Sequence, residues 1–595
     1  MKKVMLWIVG LLIFFLDCTK VEAQNDYVYQ HNGRLYFPNG KELSLWGVNF
    51  QPNLSWEYRD LIRSRTIPLA IDTMKYITDR GLEELEQMRC GLIRCHLTPV
   101  DFTDQDGNLV ESIFLDILDY MVARAKAKGI YISLALINHM GHNPQAVSNP
   151  LPKGKYLVPN SFMTTLKYHD WIYSPDVVVK SKRWIKQLLN RVNPYTGVTY
   201  ASETGIALYE IINEPRYLSY EAFKESAYVP QYKMWLEKTT LEDNEQAYYH
   251  YRKGLVLNYI NEMHQWVRDC DAPQPLVWNC NWHKMRIDHR DVFEAVAQSN
   301  IEVVSFCCYP GQDLCKRPYY KNPINLTETD YSDFLTECYQ NPDWYGWTLL
   351  PQFASKAKVV YEFETFYNQS SYLYPAMARL FRSLGAQAAT MWHYSLPVYA
   401  PYRIGSHVLN VKTTPSKAAS FIVAGEIFKH TELYAPLKPA KVVENCSQNY
   451  GYSFKQNASY SYSNELVVFS NTSQQSLNDG YNREPKKIIG CGYSAKASYS
   501  GNAIYSVNYE SDTIKVNILP NVRYNKDLWS LSNGDCVLDY DYTTPYEFSL
   551  SSEVRNWLNY RLTDTEKQVV TPIWQSSSDL KFQLVPGTYE LIKFK

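Results

Sequence analysis

The run Gly205-Ile-Ala-Leu-Tyr-Glu-Ile-Ile212 is almost continuously apolar and leads directly into Asn213-Glu214-Pro215. Such a run is typical of a strand that is buried on both faces of a parallel sheet. The polar residues that follow it lie where the strand leaves the sheet. This stretch therefore predicts a parallel sheet with an amide and a carboxylic acid side by side at its edge.

A second carboxylate ends a similar run, Lys358-Val-Val-Tyr-Glu362-Phe-Glu364. Two strand-end carboxylates are the minimum set of groups needed to hydrolyse a glycosidic bond. Because alternate residues of a strand point to the same side, Glu362 and Glu364 are both candidates for the second group. The pattern favours an enzyme that hydrolyses glycosides.

Continuous apolar runs recur eight times, with amphipathic helical stretches between them, after a hairpin-like lead-in. The runs are Leu43 to Phe50, Gly91 to Leu97, Ile130 to Ile137, Gly205 to Ile212, Pro275 to Asn281, Glu302 to Cys308, Lys358 to Glu364 and Ala386 to Trp392. Eight strands with eight connections predict an α/β fold, the (β/α)₈ TIM barrel. Gly91 and Gly129 follow two of the helical stretches, and we expect each to end its helix in the left-handed conformation.

Helical periodicity stops after about Pro436, and short alternating segments separated by Asn, Gly and Ser turns take over. We expect the catalytic barrel to span residues 24–434 and an all-β, sandwich-like accessory domain to span residues 435–595. That domain either binds carbohydrate or packs against the barrel as a structural element.

Residues 1–23 have the basic, apolar and small-residue order of a secretory signal peptide, so we expect an exported protein, periplasmic or secreted. Cys18 offers an alternative, lipid attachment that would make a surface lipoprotein, although Asp17 is a poor match to the small residue that precedes such cysteines. No later run is long and apolar enough to predict a transmembrane segment. The sequence does not predict the oligomeric state.

The formal net charge is −1, and no basic arm is present, so we expect no nucleic-acid partner. The 15 Trp and 50 Tyr residues suit stacking on sugar rings.

Twelve cysteines are too dilute for a disulfide scaffold, and those in apolar runs are expected to be small buried thiols. His139 and His142 lack a matching third ligand, so we predict neither a metal site nor a cofactor.

From Leu43 to Lys429 the order of strand-end motifs resembles the clan A retaining glycoside hydrolases, closest in style to glycoside hydrolase family 5 and related bacterial polysaccharide-degrading enzymes. The matching motifs are Gly91-Leu-Ile-Arg94, Asn213-Glu214-Pro215, Tyr309, Glu362 and Trp392. The chain departs from the family pattern at Tyr361 and Glu364, which replace the glycines usual around the nucleophile. It also departs at Cys307, where a histidine often precedes the tyrosine.

The resemblance implies that Glu214 is the general acid and base and that Glu362 is the nucleophile. It also implies that Arg94 and Tyr309 stabilise the negative charge of Glu362, and that two carboxyls about 5 Å apart would retain the anomeric configuration. Asn213 would hydrogen-bond the 2-hydroxyl of the sugar.

Trp392 would form the floor of the subsite on the non-reducing side of the cut. His139, Asn281 and Trp282 also stand at strand ends and are further candidates for substrate binding, matched to no firm motif. β-Glucan, β-mannan and β-galactoside are all admissible substrates. A non-catalytic carbohydrate-binding protein and a transglycosylase remain alternatives.

Overall fold

The structure is a computed structural model of the 595-residue chain. It describes residues 26–55, 57–58, 70–139, 161–281, 283–310, 329–365, 370–398, 400–402, 408–437, 450–471, 484–525, 538–552 and 554–594. The predicted signal peptide, Cys18, His142 and Trp282 lie outside the described residues.

The predicted barrel is confirmed. Two short antiparallel strands, β1 (Tyr29–His31) and β2 (Arg34–Tyr36), precede it. The barrel strands are β3 (Leu45–Asn49), β4 (Leu92–His96), β5 (Tyr131–Ala135), β6 (Ile206–Glu210), β7 (Leu276–Asn279), β8 (Val303–Cys308), β9 (Ala357–Phe363) and β10 (Ala386–Met391). They pair in parallel around a closed ring in which β10 meets β3, so all their carboxyl ends lie at one mouth. Almost every strand residue is buried, which explains why the runs are continuously apolar.

Helices cover the outside of the barrel and fill the connections. They are α1 (Ile71–Gln87), α2 (Ile113–Ala127), α3 (Asp170–Tyr173), α4 (Pro175–Leu189), α5 (Tyr220–Lys224), α6 (Val229–Thr239), α7 (Glu245–Arg268), α8 (His283–Asp288), α9 (Arg290–Gln298), α10 (Ser332–Gln340), α11 (Leu373–Ser383) and α12 (Pro415–His430). Gly129 follows α2 with φ +68°, as expected for a glycine that ends a helix. The same expectation is wrong for Gly91, because Arg89 takes the left-handed conformation there, with φ +58°.

The predicted C-terminal all-β region is also confirmed. Its strands are β11 (Tyr450–Ser453), β12 (Ala458–Tyr462), β13 (Leu466–Asn471), β14 (Lys487–Cys491), β15 (Ala497–Tyr499), β16 (Tyr505–Tyr509), β17 (Thr513–Ile518), β18 (Asn521–Tyr524), β19 (Leu538–Asp541), β20 (Tyr546–Ser551), β21 (Tyr560–Asp564), β22 (Val569–Val570), β23 (Trp574–Gln575), β24 (Asp579–Leu584) and β25 (Gly587–Lys593). They form sheets of nine, four and two strands. The predicted domain boundary falls between the end of α12 and the start of β11.

The accessory domain packs directly on the barrel through β13. Leu466 and Val468 belong to the hydrophobic cluster of the barrel, whereas Val467 and Phe469 belong to the cluster inside the accessory domain. This split follows the two-residue period of a strand. On the same strand the Ser470 hydroxyl donates to the carbonyl of Ser416 at the start of α12, 2.8 Å away. These contacts favour the alternative in which the accessory domain packs against the barrel as a structural element.

Within the described ranges no helix has both the length and the apolar character required to cross a membrane.

Candidate active site

A buried arginine connects the polar residues at the mouth of the barrel. Arg94 lies in β4, fully enclosed, and donates two hydrogen bonds to Glu210 at the end of β6, at 2.7 and 2.8 Å. It also donates to Asn213 Oδ1 at 2.8 Å, to Asn49 Oδ1 at 3.0 Å and to Glu362 Oε1 at 2.9 Å. A buried charge is tolerated when it is paired and fully hydrogen-bonded. One guanidinium therefore fixes four strand-end side chains.

Glu362 lies in β9 with its carboxylate held from two sides. Arg94 donates to Oε1, and the Tyr309 hydroxyl donates to Oε2 at 2.7 Å. Tyr309 follows the end of β8, so the two donors come from opposite parts of the barrel wall. Charge-assisted hydrogen bonds are short and strong, so these two donors fix the position of the carboxylate.

Glu364 does not share this environment, although it stands only two residues further on. Its carboxylate accepts from Lys417 Nζ at 2.8 Å in α12, from the Tyr374 hydroxyl at 2.8 Å in α11 and from the Thr365 backbone N–H at 2.7 Å. The side chain therefore points outward to the helices. Strand alternation would place Glu364 beside Glu362, but β9 ends at Phe363 and the alternation ends with it.

Glu214 lies beyond the end of β6 and is 6% exposed. Its φ of +43° is uncommon for a residue with a side chain. One of its carboxylate oxygens, one of Glu362 and the Cys307 sulfur all lie within 4.8 Å of one another. Burial, together with the negative charge of Glu362, raises the pKa of Glu214 to about 8, while Arg216 at 3.2 Å opposes this shift. Glu214 therefore holds a proton at neutral pH.

Asn213 and Trp392 are each connected to Glu362 through one neighbour, Arg94 and His96 respectively. Because Asn213 accepts from Arg94 through Oδ1, its amide nitrogen is the group turned away from the arginine. Trp392 follows β10, is partly exposed and stacks on His96 with ring centres 5.1 Å apart. Burial, reinforced by the charge of Arg94, lowers the pKa of His96 well below its usual value, so the ring is neutral.

The other predicted residues have different positions. His139 is buried beyond the end of β5 and meets the Tyr168 ring edge to face, with centres 5.2 Å apart. Asn281 donates through its side chain to the Pro215 carbonyl at 2.9 Å, so it braces the backbone next to Glu214. Trp282 lies outside the described residues.

Sequence reasoning missed several members of the site, namely Asn49, His96, Glu210, Arg216 and Asn279. Asn279 ends β7 and donates to Glu210 Oε1 at 2.8 Å. Glu210 is the one charged residue in the apolar run from Gly205 to Ile212, and a buried charge requires a partner. That signal could have paired it with Arg94, the one arginine inside another such run.

Comparisons with known proteins find similarity to mannan endo-1,4-beta-mannosidases over part of the chain. No protein-family model matches the chain. Mannan endo-1,4-beta-mannosidase 4 of Solanum lycopersicum is 26% identical over 219 residues, which cover 36% of this chain and 50% of that protein. A putative mannan endo-1,4-beta-mannosidase 4 of Arabidopsis thaliana is 32% identical over 102 residues, covering 17% of this chain and 23% of that protein. The chain thus spans half or less of the length of these curated relatives.

Among solved structures, an endo-beta-1,4-mannanase from Thermotoga petrophila is 12% identical, with 92% of this chain and 99% of that chain covered and a TM-score of 0.44. A glycoside hydrolase family 5 mannosidase from Rhizomucor miehei is 12% identical, with 68% of this chain and 98% of that chain covered and a TM-score of 0.42. The partial similarity to the curated mannan endo-1,4-beta-mannosidases agrees with the glycoside hydrolase resemblance of the strand-end motifs.

Proposed function

We propose that this chain is a retaining β-glycoside hydrolase that cleaves a β-mannan by double displacement, with Glu214 as general acid and base and Glu362 as nucleophile. The observation that carries the proposal is the separation of the two carboxyl groups, whose nearest oxygens lie within 4.8 Å. Retaining enzymes hold these groups about 5 to 5.5 Å apart, whereas inverting enzymes leave about 6.5 to 9.5 Å for a water molecule.

In the first step, Glu362 attacks the anomeric carbon while Glu214 protonates the departing glycosidic oxygen. A group with a pKa of about 8 carries the required proton at neutral pH. The Arg94 and Tyr309 hydrogen bonds hold the Glu362 carboxylate in position for this attack. The products are a glycosyl ester of Glu362 and the released part of the glycan.

In the second step, Glu214 removes a proton from water, which attacks the ester. Formation of the ester removes the negative charge of Glu362, and that charge is one of the causes of the raised pKa of Glu214. Loss of this repulsion lowers the pKa of Glu214, so the same residue changes from acid to base. The short distance between the carboxyl groups of Glu214 and Glu362 thus supports both steps.

Asn213 and Trp392 would hold the sugar that is attacked. One Asn213 amide N–H would donate to the 2-hydroxyl, an interaction that strengthens as the ring flattens towards an oxocarbenium ion. The partly exposed Trp392 ring would stack under the apolar face of that sugar.

β-Mannan is favoured over β-glucan and β-galactoside by the curated relatives described above. The test is product release from β-mannan, β-glucan, β-galactan and the matching aryl β-glycosides, with the anomer formed first followed by proton NMR. We expect mannan to be cleaved with the β-anomer released first, and Glu214→Ala to be inactive on it. Cleavage of another glycan alone would replace the substrate, and an α-anomer formed first would refute the double displacement.

The same experiment separates the two alternatives. If the chain is a carbohydrate-binding protein, both the parent and Glu214→Ala should bind a glycan without releasing product. A transglycosylase would build products longer than the substrate at high substrate concentration. The size distribution of the early products also distinguishes cleavage within the chain from cleavage at its end.

The pH dependence of kcat/KM should move when Arg216 is replaced. Its positive charge lowers the pKa of Glu214, so Arg216→Ala should raise that pKa and shift the basic limb of the profile upward by about one pH unit. The sign follows because activity is lost above the pKa, where Glu214 gives up its proton. Arg216→Lys keeps the charge and should keep the limb near that of the parent. An unmoved limb in Arg216→Ala would contradict the assignment of Glu214 as the acid.

A further inference from the structure

Cys307, near the mouth of the barrel, is a nucleophilic group that the proposed mechanism does not use. Cys307 and Cys308 are neighbours in β8, and both are buried and free of disulfide bonds. Cys308 belongs to the hydrophobic cluster between barrel and helices, whereas Cys307 belongs to no described cluster. Alternation along the strand explains the difference, because it turns the Cys307 side chain to the inside of the barrel.

The Cys307 sulfur faces two carboxylates. Together with one oxygen each of Glu214 and Glu362, it forms a triangle with no side longer than 4.8 Å. The thiol makes no hydrogen bond to any other described residue. Glu214 is 6% and Glu362 is 5% exposed, so these two members of the triangle are in limited contact with solvent.

One sulfur and two carboxylate oxygens form a ligand set for a borderline or soft divalent cation. Zn²⁺ binds thiolate at about 2.3 Å and carboxylate oxygen at about 2.0 to 2.2 Å, in a tetrahedron whose fourth position accepts water. Ligand atoms of such a tetrahedron are about 3.3 to 3.7 Å apart, so small side-chain movements would close the triangle around the ion. Mg²⁺ and Ca²⁺ prefer sites made of oxygen alone.

We propose that Glu214, Cys307 and Glu362 form an inhibitory binding site for a thiophilic divalent cation such as Zn²⁺. Binding releases the thiol proton of Cys307 and the carboxyl proton of Glu214 to solvent. The bound ion occupies lone pairs of the proton donor and of the nucleophile, so neither can act on a glycosidic bond. The site is inhibitory because both carboxylates must be free for the reaction described above.

Cobalt provides a test that does not depend on catalysis. Co²⁺ takes the same ligands as Zn²⁺, and a thiolate ligand gives it a charge-transfer absorption in the near ultraviolet. We expect the intact protein, titrated with cobalt chloride, to develop this band with one ion per chain. Cys307→Ser should lack the band, while Cys308→Ser, which changes the adjacent thiol on the other face of β8, should keep it.

Zinc inhibition provides the second test, and its failure can be distinguished from failure of the proposed function. We expect zinc chloride to inhibit the parent and Cys308→Ser alike, and to inhibit Cys307→Ser at least about tenfold more weakly. Equal inhibition of parent and Cys307→Ser, or no thiolate band in the parent, would overturn the proposal. If Cys307→Ser fails to fold, Glu362→Gln removes a different ligand and should weaken cobalt binding by a similar factor. Unchanged cobalt affinity there would also overturn the proposal.

Discussion

Replacement of Glu362 by alanine is expected to lower kcat by about four orders of magnitude or more on every β-glycoside that the parent cleaves. Without this carboxylate no covalent glycosyl-enzyme can form. The fold should persist, because Arg94 keeps its two hydrogen bonds to Glu210 and then faces one carboxylate instead of two. Kinetic measurement with an aryl β-glycoside, supported by an unfolding curve, checks both parts of this expectation.

Azide should restore activity to Glu362→Ala, because this small anion fits the space left by the carboxylate. It attacks the anomeric carbon directly, so the product should be the inverted α-glycosyl azide. The matched control is Glu364→Ala. That change removes the carboxylate partner of the buried Lys417 and should cost about 3 to 5 kcal/mol of stability, while the folded fraction keeps its kcat. Rescue with an inverted product in Glu364→Ala alone would refute our choice of nucleophile.

The choice between these two glutamates shows where sequence reasoning reached its limit. Apolar runs located all eight barrel strands, because a strand buried on both faces admits few polar residues. The strand-end residues Arg94, Asn213 and Tyr309 could then be placed together, because the carboxyl ends of barrel strands converge. The direction of Glu364 could not be predicted, because it depends on where β9 ends and on Lys417 in the last helix.

Other parts of the site depend on contacts between residues far apart in the chain. Glu210 and Arg94 are 116 residues apart, and the sequence pattern alone does not state that they form an ion pair. Cys307 was noticed as a departure from the family pattern and interpreted as a buried thiol. It is buried, but its distance from the two carboxylates depends on the packing of three strands, including the register shift between β8 and β9 that falls between Phe306 and Cys307.

Replacement of Glu214 by alanine should have an effect that depends on the leaving group. Glycans leave as poor alkoxides and require protonation, so kcat/KM on them should fall by about 10³ to 10⁴. An aryl glycoside with a strongly acidic phenol needs no proton donor, so its first step should remain fast and the glycosyl-enzyme should accumulate. This contrast is the signature of an acid rather than of a nucleophile.

Azide should also rescue Glu214→Ala, but with the opposite stereochemistry. Glu362 still forms the covalent intermediate in this variant, and azide then attacks it from the side of the missing carboxyl. Two inversions give the retained β-glycosyl azide, whereas Glu362→Ala should give the α-anomer. Identical anomers from both variants would refute the assigned roles. Glu214 is a member of the proposed cation site as well, so both variants should be assayed in the presence of a chelator, which keeps zinc from obscuring the comparison.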